Sequence, residues 1–406
     1  MGQCLRICAT ALAVAFTLTV GACGRDTKDD AGENGAVIEI SKLDSGNYPT
    51  TPSDVEKTRT DDSGAVREAI KIGAATPFVM EVDNRFIFDY HGYISRILTP
   101  RSKPEFTGTK LESGEFNTIA PGLVAGWYTF GQRRAEPGLG REIEMDVIRF
   151  SSSDSAKIAA QALADRTPGE GFRITDYPAA RTTYVPKVPY GSPRMASWLA
   201  HDDMLLYVRV DDPISIPFDP AEQADLVKRA FDKIIEGLKG YSPTPIDQIK
   251  SLQLDVDGLL SRTLPFDKDN RPSGSDPTAV YPKHAAVHFA QHPNLTMAAL
   301  DDAGVDDIAE SATVIYRTRD ASSTTRLIAA LEASDLDEEN YAKVDSPTNL
   351  PTAQCYNAKP GISSPSNYPP VCWIAFDRYV ARVGGRNVQD LHQRTAAQYK
   401  LLASGR

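Results

Sequence analysis

The chain has 406 residues, 41% of them hydrophobic, and a formal net charge of −10 at pH 7. This length is enough for two ordinary domains. The acidic balance, with no basic patch that carries interleaved aromatic residues, argues against nucleic acid as a partner.

The first residues predict an export signal. Arg6 precedes an apolar stretch, Ile7 to Ala22, that has about the length of a signal h-region and is short for a membrane span. The stretch ends in Val20-Gly21-Ala22-Cys23, where small residues precede a cysteine as in a bacterial lipobox. Residues 1–22 are therefore predicted to be a lipoprotein signal peptide and Cys23 the lipidated residue. The alternative is an ordinary signal peptide followed by an incidental cysteine.

The segment after the lipobox, "GRDTKDDAGENGA", contains no apolar run. Residues 23–36 are therefore predicted to form a flexible tether with a reach of roughly 20 Å. Two or three acyl chains on Cys23 would hold the protein on the membrane, whereas one chain binds only marginally. The expected location is the outer face of the cytoplasmic membrane.

Segments of the first half recur in the same order in the second half. "GYISRILTP" resembles "GLLSRTLP". "DVIRFSSSDSAKIAAQALAD" (146–165) shares its layout with "ATVIYRTRDASSTTRLIAALEASD" (312–335), a strand followed by a polar cap and an amphipathic helix. "WLAHD" (198–202) recurs as "WIAFD" (373–377). This pattern predicts two tandem copies of one domain.

Each copy is predicted to run strand, helix, hairpin, helix. The last helix of the first copy has Asp219 as N-cap, Pro220 in its first turn and Glu222 to complete a capping box; Asn387 caps the last helix of the second copy. Because a hairpin pairs antiparallel, the fold class is α+β, with helices on one face of a mixed or antiparallel sheet. The predicted boundaries are 37–241 for the first repeat and 242–406 for the second.

The early part of the first copy gives weaker signals. Residues 63–76 have the periodicity of a helix, and 77–83, "PFVMEVD", is predicted to be a strand. A further helix is expected near 115–127.

Two cysteines, Cys355 and Cys372, remain after export and lipidation. An even pair in an exported protein predicts one disulfide, which here would pin the Pro-rich loop 351–370. Two structural thiols, a metal pair and a redox pair are the alternatives, and the wide spacing without a CxxC motif argues against the last two. Ser197 occupies the position of Cys372 in the first copy.

The lipobox, "LDSGNYPTTP" (43–52) and "AGVDDIAESATVIYRTRD" (303–320) resemble the lipoproteins of unknown function found in mycobacteria, nocardiae and their relatives. The resemblance covers essentially the whole mature chain, and it implies an envelope protein but assigns no catalytic residue. A weaker likeness, in element order alone, is to extracellular sensor domains of actinobacterial receptor kinases, which implies ligand sensing.

The sharpest chemical pattern is "YPKHAAVHFAQHPN" (281–294). Its histidines His284, His288 and His292 are spaced four apart, so on a helix they would share one face, where two can bind zinc. Asp276, Asp301 and Asp302 are oxygen ligands nearby in sequence. The alternative is a solvated or partly packed histidine face, since the first copy has Thr118 and glycines at the matching positions.

Other motifs of catalysis or cofactor binding are incomplete. "YGSPR" lacks the second glycine of a nucleophile elbow, "GLGRE" lacks the third glycine of a dinucleotide fingerprint, and there is no Walker A loop. No cofactor is therefore expected. Trp198 and Trp373 occupy equivalent positions and can stack a ligand, although aromatic residues repeated in a strand more often belong to the core.

These observations favour a lipid-anchored, non-catalytic envelope protein that binds a lipid, glycan or envelope protein, with a ligand held between the copies as one possibility. A metal-dependent hydrolase built on the three histidines is the first alternative. A purely structural envelope component is the second.

The anchor can be tested by Cys23→Ala. The variant should appear in the soluble fraction after cell fractionation, because the acylated thiol is lost, whereas the control Cys8→Ala should stay with the membrane. A Cys23→Ala protein that remains membrane-bound, together with a wild-type mature amino terminus that carries no acyl mass, would exclude the anchor.

Overall fold

The structure is a computed structural model that describes residues 38–90, 95–106, 108–112, 114–187, 191–266 and 277–404. The predicted signal peptide, Cys23, the tether and Asp276 lie outside these residues. From Ile38 onward the chain forms one compact unit. No helix in the described part of the chain is long and apolar enough to cross a membrane.

The first repeat contains five helices and seven strands in its described residues. In chain order they are α1 (Ser63–Ala75), α2 (Val79–Val82), β1 (Ile97–Leu98), α3 (Phe116–Ile119), β2 (Leu123–Gln132), β3 (Glu142–Phe150), α4 (Ser153–Ala164), β4 (Glu170–Phe172), β5 (Arg181–Val185), β6 (Arg194–His201), β7 (Met204–Asp211) and α5 (Pro220–Leu238).

The second repeat contains four helices and seven strands in its described residues. In chain order they are β8 (Ala279–Pro282), α6 (Lys283–Val287), α7 (Pro293–Asp302), β9 (Asp307–Glu310), β10 (Thr313–Arg317), α8 (Ser323–Asp335), β11 (Tyr341–Val344), β12 (Gln354–Ala358), β13 (Val371–Phe376), β14 (Tyr379–Gly384) and α9 (Val388–Ala403).

Both sheets have the same strand order. The first runs β4-β5-β6-β7-β3-β2-β1 and the second β11-β12-β13-β14-β10-β9-β8, and every described pairing is antiparallel. Trp198 of β6 and Trp373 of β13 occupy the same place. The two hairpin turns also match, since Asp202 and Asp377 both adopt left-handed backbone angles, with φ of 52° and 54°. The predicted α+β class with two tandem repeats is confirmed.

Helices cover both faces of the sheets, although one face was expected. Residues Ile143 to Phe150 of β3 are all buried, so its two faces both need cover. In the first repeat α1 and α5 pack on one face and α4 on the other. In the second repeat α9 and α8 take the corresponding opposite faces.

Two local predictions were wrong. Residues 77–83 contain the short helix α2, because the Glu81 carboxylate accepts the Phe78 backbone N–H at 2.8 Å and fixes a helical turn. The helix expected near 115–127 is confined to α3, because Gly122 takes a φ of 93° and the chain then enters β2. Strand β2 carries Trp127, whose indole lies so close to Gly73 of α1 that a Cβ there would be 2.4 Å from the ring.

The two late helix caps were predicted correctly. The Asp219 side chain accepts the Ala221 N–H at 2.9 Å, and the Asn387 side chain accepts the Asp390 N–H at 2.9 Å. Glu222, expected to complete a capping box, instead pairs with Arg141 at 2.5 Å.

Residues 38–58 form a strap that packs on the second repeat, although the prediction grouped them with the first. Leu43 and Val55 of the strap are buried in the core of the second repeat. The Lys400 ammonium donates to the Leu43 carbonyl at 2.8 Å, and the Ser53 N–H to the Ser261 carbonyl at 3.0 Å. The buried apolar residues of the strap thus belong to the core of the second repeat, although the first repeat is nearer in sequence.

Cys355 and Cys372 form the predicted disulfide. They lie directly opposite one another on β12 and β13, with Cα atoms 4.1 Å apart. In the first repeat the same opposed positions are held by Thr182 and Ser197, whose buried hydroxyl oxygens are 2.6 Å apart. One scaffold position thus joins the two strands by a covalent bond in one copy and a hydrogen bond in the other.

Replacing the disulfide by the first repeat's pair, Cys355→Thr with Cys372→Ser, should preserve the fold and lower the free energy of unfolding by about 3 kcal/mol. Urea unfolding gives the loss, and hydrogen exchange should place it in residues 351–371 with first-repeat protection nearly intact. Equal loss of protection in β2 and β3 would contradict a local role.

Candidate functional site

The seam between the repeats is fixed by two histidines. The Nε2 atoms of His284 and His288, both on α6 or its end, lie 2.8 and 3.1 Å from the carbonyl oxygen of Thr76, which caps α1. The His288 Nδ1 is 2.9 Å from the Thr129 hydroxyl. Both imidazoles therefore donate through Nε2 to one carbonyl, and His288 accepts through Nδ1.

The third predicted metal ligand lies apart from this pair. His292 precedes α7 and packs edge-on against Phe88, with ring centroids 5.5 Å apart. The described residues contain no group of three or more His, Cys, Asp or Glu side chains that could hold a metal ion. The structure therefore does not bring His284, His288 and His292 together as a metal centre, because the helix ends between them.

His288 is held in its neutral form. Its side chain is 2% exposed, and it contacts the rings of Phe78 and Trp127. Burial lowers the pKa of His288 well below its ordinary value, and the charges of His284 and Arg96 act in the same direction. At mildly acidic pH the unfolded chain therefore binds a proton on His288, whereas the folded protein keeps this imidazole neutral.

The acidic stretch 301–310 also resolves into ion pairs. Asp301 pairs with Lys283, and Asp302 pairs with Arg326 at 2.9 Å. Arg317 joins both Asp306 and Asp307. These carboxylates therefore serve local structure in the second repeat.

A cavity of about 440 Å³ lies in the second repeat, between the sheet, α8 and the α6–α7 region. Its floor carries one cross-strand row, Glu310 of β9, Val314 of β10 and Arg382 of β14. Most of its other walls are apolar. The apolar lining residues include Phe289, Leu300, Ile308, Val314 and Leu331.

One ion pair stands in this cavity. The Arg382 Nε lies 3.2 Å from an Asp335 carboxylate oxygen, and both side chains are about one-third exposed. The pair borders Tyr316, whose pKa burial raises, with Asp335 adding to the shift and Arg382 opposing it. The pair thus adds a donor and an acceptor to a hollow whose other polar lining residues are Gln291, His292, Thr296, Glu310 and Ser334.

The same place in the first repeat is filled. The row Glu310, Val314, Arg382 corresponds by strand pairing to Tyr128, Asp146 and Tyr207. Above it, the ring of Phe106 lies 5.0 Å from Tyr207 and 4.7 Å from Trp198. Aromatic side chains therefore occupy the position that the second repeat leaves open.

The filled face also buries two carboxyl groups. Asp146 is 2% exposed, and its Oδ2 has no hydrogen-bond partner among the described residues. Burial raises the pKa of Glu144 to about 7 despite Arg209 at 3.2 Å, and burial together with Glu144 raises the pKa of Asp146 well above its ordinary value. We assign the face a structural role, since aromatic rings cover it.

The two repeated tryptophans belong to the core. Trp198 and Trp373 are 1% and 0% exposed. The Trp198 indole N–H donates to Thr167 at 2.9 Å. Neither face is available to stack a ligand.

A second hollow, of about 390 Å³, lies at the seam. Residues of both repeats line it, including Val66 and Arg67 of α1 and Ala279 of β8. A ligand held between the two copies, as the sequence suggested, would lie in this hollow. The hollow has no filled counterpart to compare it with, unlike the cavity of the second repeat.

The sequence matches the family described as Domain of unknown function (DUF7373), its N-terminal part over residues 55–254 and its C-terminal part over 259–405. The chain belongs to the DUF7373 family. No curated protein matches it. The crystal structure of the extracellular domain of PknH from Mycobacterium tuberculosis is similar at 13% identity and a TM-score of 0.27, covering 40% of this chain and 94% of that one. At this TM-score the similarity supports nothing about fold or function here.

The sequence pointed to the histidines and missed Arg382 and Asp335. These two belong to different elements, α8 and β14, and no short motif joins them. The one available signal was the repeat itself, because Arg382 stands at the position that corresponds to the buried aromatic residue Tyr207.

The buried His288 predicts a pH dependence. Below about pH 6.5 only the unfolded state is protonated there, so between pH 7 and pH 5.5 the wild type should lose about 1 kcal/mol of unfolding free energy that His288→Gln does not lose. Urea titrations at both pH values measure the difference. The partly exposed His201→Gln should follow the wild type, and an equal pH slope in His288→Gln would refute the assignment.

Proposed function

We propose that this protein binds a small, largely apolar ligand in the cavity of its second repeat, while an acylated Cys23 holds it at the outer face of the cytoplasmic membrane. The contrast between two copies of one scaffold carries the proposal. One copy fills the sheet face with Phe106 and two tyrosines; the other keeps about 440 Å³ empty of side chains. A hollow with many apolar side chains, at a place where the matched copy packs aromatic rings, is typical of a ligand-binding cavity.

The chemistry of the lining supports a small-molecule site. Ligand cavities are mostly apolar with a few converging polar groups, and their volumes begin near 300 Å³. Here apolar walls meet the Arg382–Asp335 pair, with His292 on another side. A cavity of this size suits a small amphiphile better than a protein segment.

The first repeat supports one wall of the cavity through contacts with the residues that form it. The Asp89 N–H donates to the Gln291 carbonyl at 2.9 Å, and Phe88 packs on His292. Gln291 and His292 both line the cavity. The packed copy thus supports the open copy, as a preorganised binding site requires.

The alternatives have less support. A hydrolase built on His284, His288 and His292 would need three imidazoles in one place, and two of them are committed to the Thr76 carbonyl. A purely structural envelope component has no use for a lined cavity. Both nevertheless make distinct predictions in the experiment below.

Filling the cavity should abolish binding. Native mass spectrometry of protein extracted from its own membrane should show a bound species of a few hundred daltons on the wild type. Val314→Trp, at the cavity floor, should lose it because the indole occupies the space, with the melting temperature nearly unchanged.

Leu139→Trp, on a side chain 61% exposed in the first repeat, is the matched control and should keep the bound species. A wild type without any adduct would favour a structural component. Stoichiometric zinc in protein purified without nickel would favour the hydrolase.

A further inference from the structure

The ion pair in the cavity restricts the head group of the ligand. Resting on the proposed function, we infer that the ligand is an uncharged amphiphile, an apolar chain that ends in a hydroxyl-bearing head, and that the Arg382–Asp335 pair binds this head. The Arg382 Nε is 3.2 Å from the Asp335 carboxylate, so the two charges largely compensate each other. A hydroxylated head can donate to Asp335 and accept from Arg382 without separating them.

A charged head would have to break this pair. An anion would compete with Asp335 for Arg382 and would meet the Asp335 charge at close range. A cation would compete with Arg382 in the same way. Either head would also lose hydration on entering a hollow with apolar walls, and only half of a displaced ion pair would remain to compensate it.

Glu310 is a second carboxylate in the lining of the cavity. It lies on the same floor row, two strands from Arg382, a separation of about 10 Å. The cavity therefore presents two carboxylates and one guanidinium among its charged lining groups, with His288 and His284 turned away toward Thr76.

The apolar part of the ligand has an equally definite place. Phe289, Leu300, Ile308 and Leu331 face the cavity. Each methylene transferred from water to such walls contributes about 0.8 kcal/mol. Affinity should therefore rise with chain length, and selectivity should come from the head.

The test uses three probes that share a ten-carbon chain: decyl glycerol ether, decanoate and decylammonium. Isothermal titration calorimetry on the mature chain, at pH 7.4 and below the micellar concentration, should show the neutral ether binding at least about tenfold more tightly than either ion. Val314→Trp should abolish binding of the ether, which places it in the cavity.

Changing the ion pair should change the preference. Asp335→Asn frees Arg382 and should raise decanoate affinity about tenfold. The matched control is Asp225→Asn, which frees Arg229 from a similar pair at 3.0 Å on α5, outside the cavity, and should leave all three affinities unchanged. Melting temperatures in the absence of probe confirm that both variants are folded.

The outcomes separate the two proposals. If no probe binds, or if Val314→Trp leaves binding intact, the proposed function fails. If binding is lost in Val314→Trp but decanoate or decylammonium matches the ether in the wild type, the function stands and the assignment of an uncharged head is wrong.

Discussion

The Thr76 carbonyl is the point on which the arrangement of the two repeats depends. Two imidazole N–H groups of the second repeat donate to this one oxygen of the first, where Thr76 and His288 are buried. A buried donor without a partner costs more than a hydrogen bond normally contributes, so His288 in particular holds α6 against α1. Ala286 of α6 and Phe289, just after it, line the cavity. The contacts at the seam therefore also set the position of this cavity wall.

The two copies of one scaffold are packed differently on the same sheet face. Their strand orders are identical, and both bury a tryptophan at the same site. The first copy closes its α4 face with aromatic rings and buries carboxyl groups beneath them, at the cost of raised pKa values. The second copy exchanges Tyr207 for Arg382 and leaves room. A single duplicated sheet thus carries a packed face in one copy and an open cavity in the other.

The sequence predicted what is encoded locally and repeated. The helix caps at Asp219 and Asn387, the hairpins and the disulfide all follow from short patterns that recur or pair within one element or its neighbour. The predictions failed where a distant partner decides the conformation. Strand β2 replaced the end of a predicted helix, where Trp127 packs against Gly73 of α1, and the cavity's ion pair joins elements that no local motif connects.

The strap has a mechanical consequence. Leu43 and Val55 are buried in the core of the second repeat, and Lys400 of α9 donates a hydrogen bond to the strap's backbone. Tension applied through the chain that precedes the strap would therefore load the second repeat first, and it would reach the first repeat through the seam and through the short link from the strap to α1. Under load the packed repeat would be shielded, and the repeat that holds the cavity would respond first.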